Sequence, residues 1–114
     1  MAVYGLVLIN IVLLVTGQVL WKIGLQNLGG IRLDNLGALI LSPYIIIGMA
    51  LYVVATGIWF VVLSKAQLSA VYPLQSTAYA LGVVAAVIIF KEQISVIRWV
   101  GVGVIIFGAF LVTK

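Results

Sequence analysis

The side chains of this chain that could do chemistry fall on two stretches. In the first, Asn10, Gln18 and Lys22 stand at i, i+8 and i+12, so a helix would put them on one face, with Gly17 beside it. In the second, Tyr72, Gln75, Ser76 and Tyr79 stand at i, i+3, i+4 and i+7 and would form one stripe, with Pro73 among them. These groups donate and accept hydrogen bonds, and Lys22 attracts anions. They do not make and break covalent bonds. The chain has two acidic residues, Asp34 and Glu92, neither in the middle of an apolar run, and it has no histidine and no cysteine. That composition excludes disulfides, thiolate metal sites and the usual proton shuttle. No Gly-rich phosphate loop and no Ser/His/Asp arrangement is present. Only Glu92, at the end of an apolar run, could serve as an acid or base, so no enzymatic activity, metal or cofactor is expected.

The elements that must position these groups are membrane helices. Of 114 residues, 66% are hydrophobic and 7% charged, and the mean hydropathy is +1.39. Water-soluble packing of one domain this size could not hide so much apolar surface. About 20 residues cross the hydrocarbon core as a helix. The uncharged runs give four spans, at about 2–21, 43–64, 66–90 and 96–113, in a single domain. The first run ends at Lys22, and with no basic leader or convincing cleavage site it reads as a retained helix rather than a signal peptide. Ser42-Pro43 is a helix-start pair for the second. Pro73 lies near the beginning of the third, and Arg98 can snorkel from the fourth. A barrel is excluded by the continuous, non-alternating apolar runs.

Lys65 alone separates spans two and three, and Lys91-Glu92-Gln93 separates three and four, which forces antiparallel neighbours. Lys91 and Glu92 could pair with each other or with Arg98 near the surface. In the longer first connection Gly29-Gly30 supplies a turn. Ile31-Arg32-Leu33-Asp34-Asn35-Leu36 after it is amphipathic, either a short interfacial helix or re-entrant segment, or a plain loop. The six cations are scattered singly, as flanks of spans rather than as a nucleic-acid surface. Lys22, Arg32, Lys91 and Arg98 would share one side of the membrane, against Lys65, Lys114 and the amino terminus. Without Lys22 and Arg98, which could lie partly in the membrane, the bias disappears. Charge therefore leaves single and dual topology open.

Two readings of the first-span face follow. Either Asn10 and Gln18 bond between helices while Lys22 snorkels, or Gln18 and Lys22 form a site for an anionic group such as phosphate. On the third span, two tyrosines and a glutamine point to a lined cavity rather than a packing stripe. Trp59 and Tyr52 could reach a ligand, though Trp21, Trp59 and Trp99 read first as interface anchors. Gly101 and Gly108, seven apart, mark a packing or dimerisation face.

These motifs, in this order, resemble the drug/metabolite transporter superfamily in its small four-span form. Ala70-Val71-Tyr72-Pro73-Leu74-Gln75-Ser76, Lys91-Glu92 and the run from Arg98-Trp99 through Gly101 and Gly103 to Gly108 are similar to the end of an EamA-type repeat. Gly17-Gln18 followed by Lys22, with the Tyr-Pro and its following serine, the span-end glutamate and the Arg-Trp-x-Gly opening, is similar to small subunits that flip aminoarabinose attached to undecaprenyl phosphate. The small multidrug resistance exporters are related. Their essential span-one glutamate falls at Leu14 here and their span-three tryptophan at Gln75, a departure that speaks against proton-coupled export of organic cations.

The resemblance implies an all-α membrane protein with a small multidrug resistance-like fold, in a bacterial inner membrane. It would act as a homodimer or with a four-span paralogue, flipping a polyprenyl-phosphate-linked sugar or a similar anionic lipid. The implied substrate-binding residues are Gln18, Lys22, Tyr72, Gln75, Ser76, Tyr79 and Glu92. A metabolite or drug exporter of the same fold and a non-transporting partner subunit remain the alternatives.

Overall fold

A computed structural model describes residues 2–30 and 33–114, which form helices and short connections with no strand among them. Helix α1 covers Ala2–Asn27, so Lys22 lies inside the helix rather than at its end. A cation closes an apolar run without closing a helix. What stops α1 is the glycine pair after it. Gly29 and Gly30 take φ of 76° and 94°. The Gly30 amide donates to the Leu25 carbonyl at 2.8 Å and that of Gly29 to Gln26 at 3.2 Å, a Schellman closure that a side chain would strain.

The connection that follows is helical where it is described, with a 3-10 turn at Leu33–Asn35 and α2 at Leu36–Leu41. Ile31 and Arg32, which open the amphipathic stretch, lie outside the described residues. The Asn35 amide donates to the Leu28 and Gly30 carbonyls at 3.2 and 2.8 Å, tying the turn to the end of α1.

Helix α3 spans Pro43–Lys65, with Pro43 in its first turn, where no amide donor is needed. Ala66 and Gln67, both extended, turn the chain into the next helix. The uninterrupted third run expected over 66–90 is two helices, α4 (Leu68–Gln75) and α5 (Thr77–Ile89), divided at Ser76. Pro73 lacks the amide that would continue the ladder. The local bonds beyond it tighten, with the Ser76 amide on the Pro73 carbonyl and the Tyr79 amide on that of Ser76, both at 3.0 Å. The Ser76 and Thr77 hydroxyls donate back to the carbonyls of Pro73 (2.5 Å) and Leu74 (2.8 Å), covering acceptors the break would leave bare. Helix α6, Val96–Val112, starts under a Ser95 hydroxyl that accepts from the Arg98 amide at 3.2 Å.

Three stretches are long and apolar enough to cross a membrane: Val3–Asn27, Pro43–Lys65 and Leu68–Ile89. The fourth, α6, has 17 residues, the short end of the spanning range.

The principal pairing is α1 with α3, antiparallel, closed by two facing glycines. A Cβ at Gly48 would fall 2.5 Å from the Trp21 ring and 3.1 Å from the Gly17 carbonyl. Trp21 lies in that gap, stacked on Tyr52 with centroids 4.6 Å apart, its indole N–H on the Ile45 carbonyl at 3.2 Å. It is built into the α1–α3 seam, not only an interface anchor. Val7, Ile11, Val62 and Val71 form the small core. Beside it Asn10, 1% exposed, donates to the Ala55 carbonyl at 2.6 Å and accepts from the Gln75 amide at 3.0 Å.

Helix α6 turns Val102 and Ala109 inward. A Cβ at Gly101 or Gly108 would meet nothing within 4 Å. Among the described residues, the space beside these two glycines, read from the sequence as a packing or dimerisation face, is open.

Two outcomes follow. Gly48→Ala should lower the thermal midpoint in detergent by the equivalent of about 1–3 kcal/mol of overpacking, while Gly57→Ala, with open space around its Cβ, should leave it within error. In a double-mutant cycle read by the same midpoint, Asn10→Leu and Gln75→Leu should be coupled by about 0.5–1.5 kcal/mol, because either substitution alone strands the other amide.

Candidate functional site

Helix α1 presents Asn10, Leu14, Gln18 and Lys22 one turn apart along about 18 Å of one face. That face forms one wall of an open cavity of about 1190 Å³, which α3, α4 and α5 also border. All seven residues read from the sequence as substrate-binding line it: Gln18, Lys22, Tyr72, Gln75, Ser76, Tyr79 and Glu92. Their side chains are not equally available. Gln75 is engaged with Asn10, and the Ser76 hydroxyl is turned onto the Pro73 carbonyl, so both hold the scaffold. Tyr72 and Tyr79, on either side of the break, are 60% and 72% exposed and present free faces.

Gln18 reaches across to α3, its amide donating to the Tyr52 hydroxyl at 2.9 Å. Leu14 lines the wall between Asn10 and Gln18, so the middle of this face carries no charge.

Lys22 and Glu92 sit at one end of the cavity and form an ion pair. Among the described residues this is the pair Glu92 makes, rather than one with Lys91 or Arg98. The α5–α6 connection aims it there. Lys91 adopts φ 54°, a left-handed conformation costly for a residue with a Cβ, and the Glu92 amide donates back to the Ala86 carbonyl at 3.2 Å. The Lys22 ammonium also lies 4.8 Å above the Phe90 ring. With side-chain exposures of 45% and 37%, the pair is open to an incoming group.

The sequence reading gave α3 too little weight. Tyr52, Thr56 and Trp59 line the cavity, and Trp59 leans against Tyr72 at 6.4 Å. Their i, i+4, i+7 spacing is the same signal that marked the stripe beginning at Tyr72. Tyr52 and Thr56 also border a smaller, apolar hollow of about 520 Å³, together with Trp21, Met49 and Phe60.

The arrangement is a chamber in which amides, hydroxyls and aromatic faces stand among aliphatic side chains, with one exposed cation–anion pair at one end. Among the described residues there is no cluster of acids that could hold a metal.

Three relatives bear on what such a chamber serves. The chain is 39% identical over 70 residues to the probable 4-amino-4-deoxy-L-arabinose-phosphoundecaprenol flippase subunit ArnE of Aeromonas hydrophila, a match covering 61% of each chain. It is 28% identical over 117 residues to the subunit ArnF of Yersinia enterocolitica, covering 96% of this chain and 91% of that one. No protein-family model matches the chain, and neither does any solved structure. These relatives are named as flippase subunits, not as enzymes. With 33% identity over 116 residues to the ArnF subunit of Sodalis glossinidius, across 96% of this chain and 88% of that one, the chain belongs to the family of small aminoarabinose-phosphoundecaprenol flippase subunits.

Proposed function

We propose that the chain is one half of a flippase for a polyprenyl-phosphate-linked sugar, crossing a bacterial inner membrane four times in a small multidrug resistance-like fold of EamA type. The observation that carries this reading is the chamber itself. An exposed lysine, paired with Glu92, stands at one end of a lining that sets amides, hydroxyls and aromatic faces among aliphatic side chains such as Leu14, Val19 and Val83. A sugar suits the aromatic and amide lining, and a phosphate suits the Lys22 ammonium. The head group occupies the chamber while the polyprenyl tail stays in the bilayer. The apolar hollow that shares Tyr52 and Thr56 with the chamber supports that division.

A chain of this length is too thin to enclose a transport path, so the proposal includes a second four-span unit, either another copy or a paralogue. The relatives' designation as subunits supports a partner. The open Gly101 and Gly108 positions on α6 suit close approach of another helix. The exporter reading loses support from Leu14, which fills the wall where a carboxylate would be needed.

Purified protein in nanodiscs should bind the aminoarabinose phosphoundecaprenol lipid saturably, and Lys22→Ala should weaken that binding about tenfold, the worth of one charge-assisted contact. Equal binding by the variant would remove Lys22 from the site, and no binding by either protein would remove the lipid reading. Liposomes in which the chain flips the lipid unaided would set aside a purely supporting role.

A further inference from the structure

The chamber lining contains one positive and one negative side chain, Lys22 and Glu92, paired with each other at its end. We infer that this pair is a charge-exchange site for a zwitterionic head group: Lys22 takes the ligand's phosphate while Glu92 takes a cationic amine on the same ligand. The inference rests on the lipid reading above and assigns Glu92 a role in specificity within it.

The argument is one of charge balance. A ligand bearing only a phosphate can reach Lys22 only by displacing Glu92, which leaves a carboxylate close to another anion. A ligand bearing only an ammonium leaves Lys22 in the same position. A ligand with both replaces one internal pair by two pairs to itself and leaves nothing unmatched, so the pair discriminates by repelling incomplete ligands as well as by attracting the complete one.

The geometry permits the exchange. Both side chains are partly exposed, at 45% and 37%, so parting them does not strand a buried charge. Glu92 lies on the connection between α5 and α6, next to the left-handed Lys91, rather than inside a helix. Lys22 keeps the Phe90 ring face when Glu92 turns away, which holds its ammonium at the chamber.

An ammonium and a phosphate can come together on an amino-sugar phospholipid of the polyprenyl kind or on phosphatidylethanolamine of the bilayer. Binding is therefore measured in phosphatidylglycerol nanodiscs with three probes: the aminoarabinose phosphoundecaprenol lipid, the same lipid with its amine acetylated, and phosphatidylethanolamine as competitor. The wild-type chain should prefer the free amine over the acetylated form by about tenfold, one ionic contact's worth. Glu92→Gln should abolish that preference by moving the two lipids in opposite directions, weakening the free-amine form and tightening the acetylated form as Lys22 is released. Glu92→Asp should keep the preference.

A fall in affinity for both lipids in Glu92→Gln, as a merely structural role would give, overturns the inference, and so does a rise for both. Equal wild-type binding of the two lipids overturns it while leaving the lipid reading standing. Absence of binding to either overturns both. Competition by phosphatidylethanolamine at equal concentration supports the exchange and assigns it to bilayer lipid.

Discussion

The fold depends on one buried amide. Among the described residues Asn10 is the polar side chain sealed inside the bundle, and it answers for both ends of its amide: its nitrogen on the α3 carbonyl of Ala55, its oxygen under the α4 amide of Gln75. Among lipid tails no water can replace those partners, so the three helices have to meet at one register and one depth. Apolar packing alone would not impose this, because membrane helices gain little by exchanging lipid contacts for one another. The α1–α3 seam can close tightly because glycines face each other there. On the far side, Gln75 keeps α4 at the reach of two amides. The chamber is the space left between a close seam and a held-off helix.

The same constraint gives the break at Ser76 its meaning. A straight helix over 68–89 would keep one pitch throughout, whereas α4 is tied to Asn10 and α5 runs beside α1 and α6. Pro73 weakens the ladder just before the change, and the Ser76 and Thr77 hydroxyls satisfy the carbonyls that the change exposes. Residues chosen from the sequence as ligand contacts thus divide by task. The Gln75 amide and the Ser76 hydroxyl hold the wall in shape, and Tyr72 and Tyr79 give it a surface.

What could be read in the chain was what depends on spacing within one helix. The faces bearing Asn10, Gln18 and Lys22 and bearing Tyr72 through Tyr79 follow from helical pitch, and the helix start at Ser42-Pro43 follows from the chemistry of an unneeded amide. What could not be read was partnership across the chain. Gln75 finds Asn10 at a separation of 65 positions, and Glu92 finds Lys22 at 70. Local rules pointed Glu92 to Lys91 or Arg98 because those lie near in sequence. The Tyr52, Thr56 and Trp59 stripe was within reach of the same spacing rule but was masked by an apolar run that already accounted for α3. On α6 the glycines drew attention, yet glycine has no side chain to bury, and Val102 and Ala109 take the inward positions.

The placement of charge completes the division between scaffold and ligand. A buried ion pair would cost too much to open, since each partner left behind would be an unsolvated charge; an exposed pair holds by about 0–1 kcal/mol and can be traded. This chain puts an uncharged polar group where burial is complete, at Asn10, and the chamber's cation and anion where they are partly exposed, at Lys22 and Glu92. Leu14 keeps the wall between them free of charge. The one carboxylate in the lining stands at the end of the chamber, with a lysine beside it. Charge is thus confined to one end of the chamber, and neutral polar, aromatic and aliphatic side chains line the rest of it.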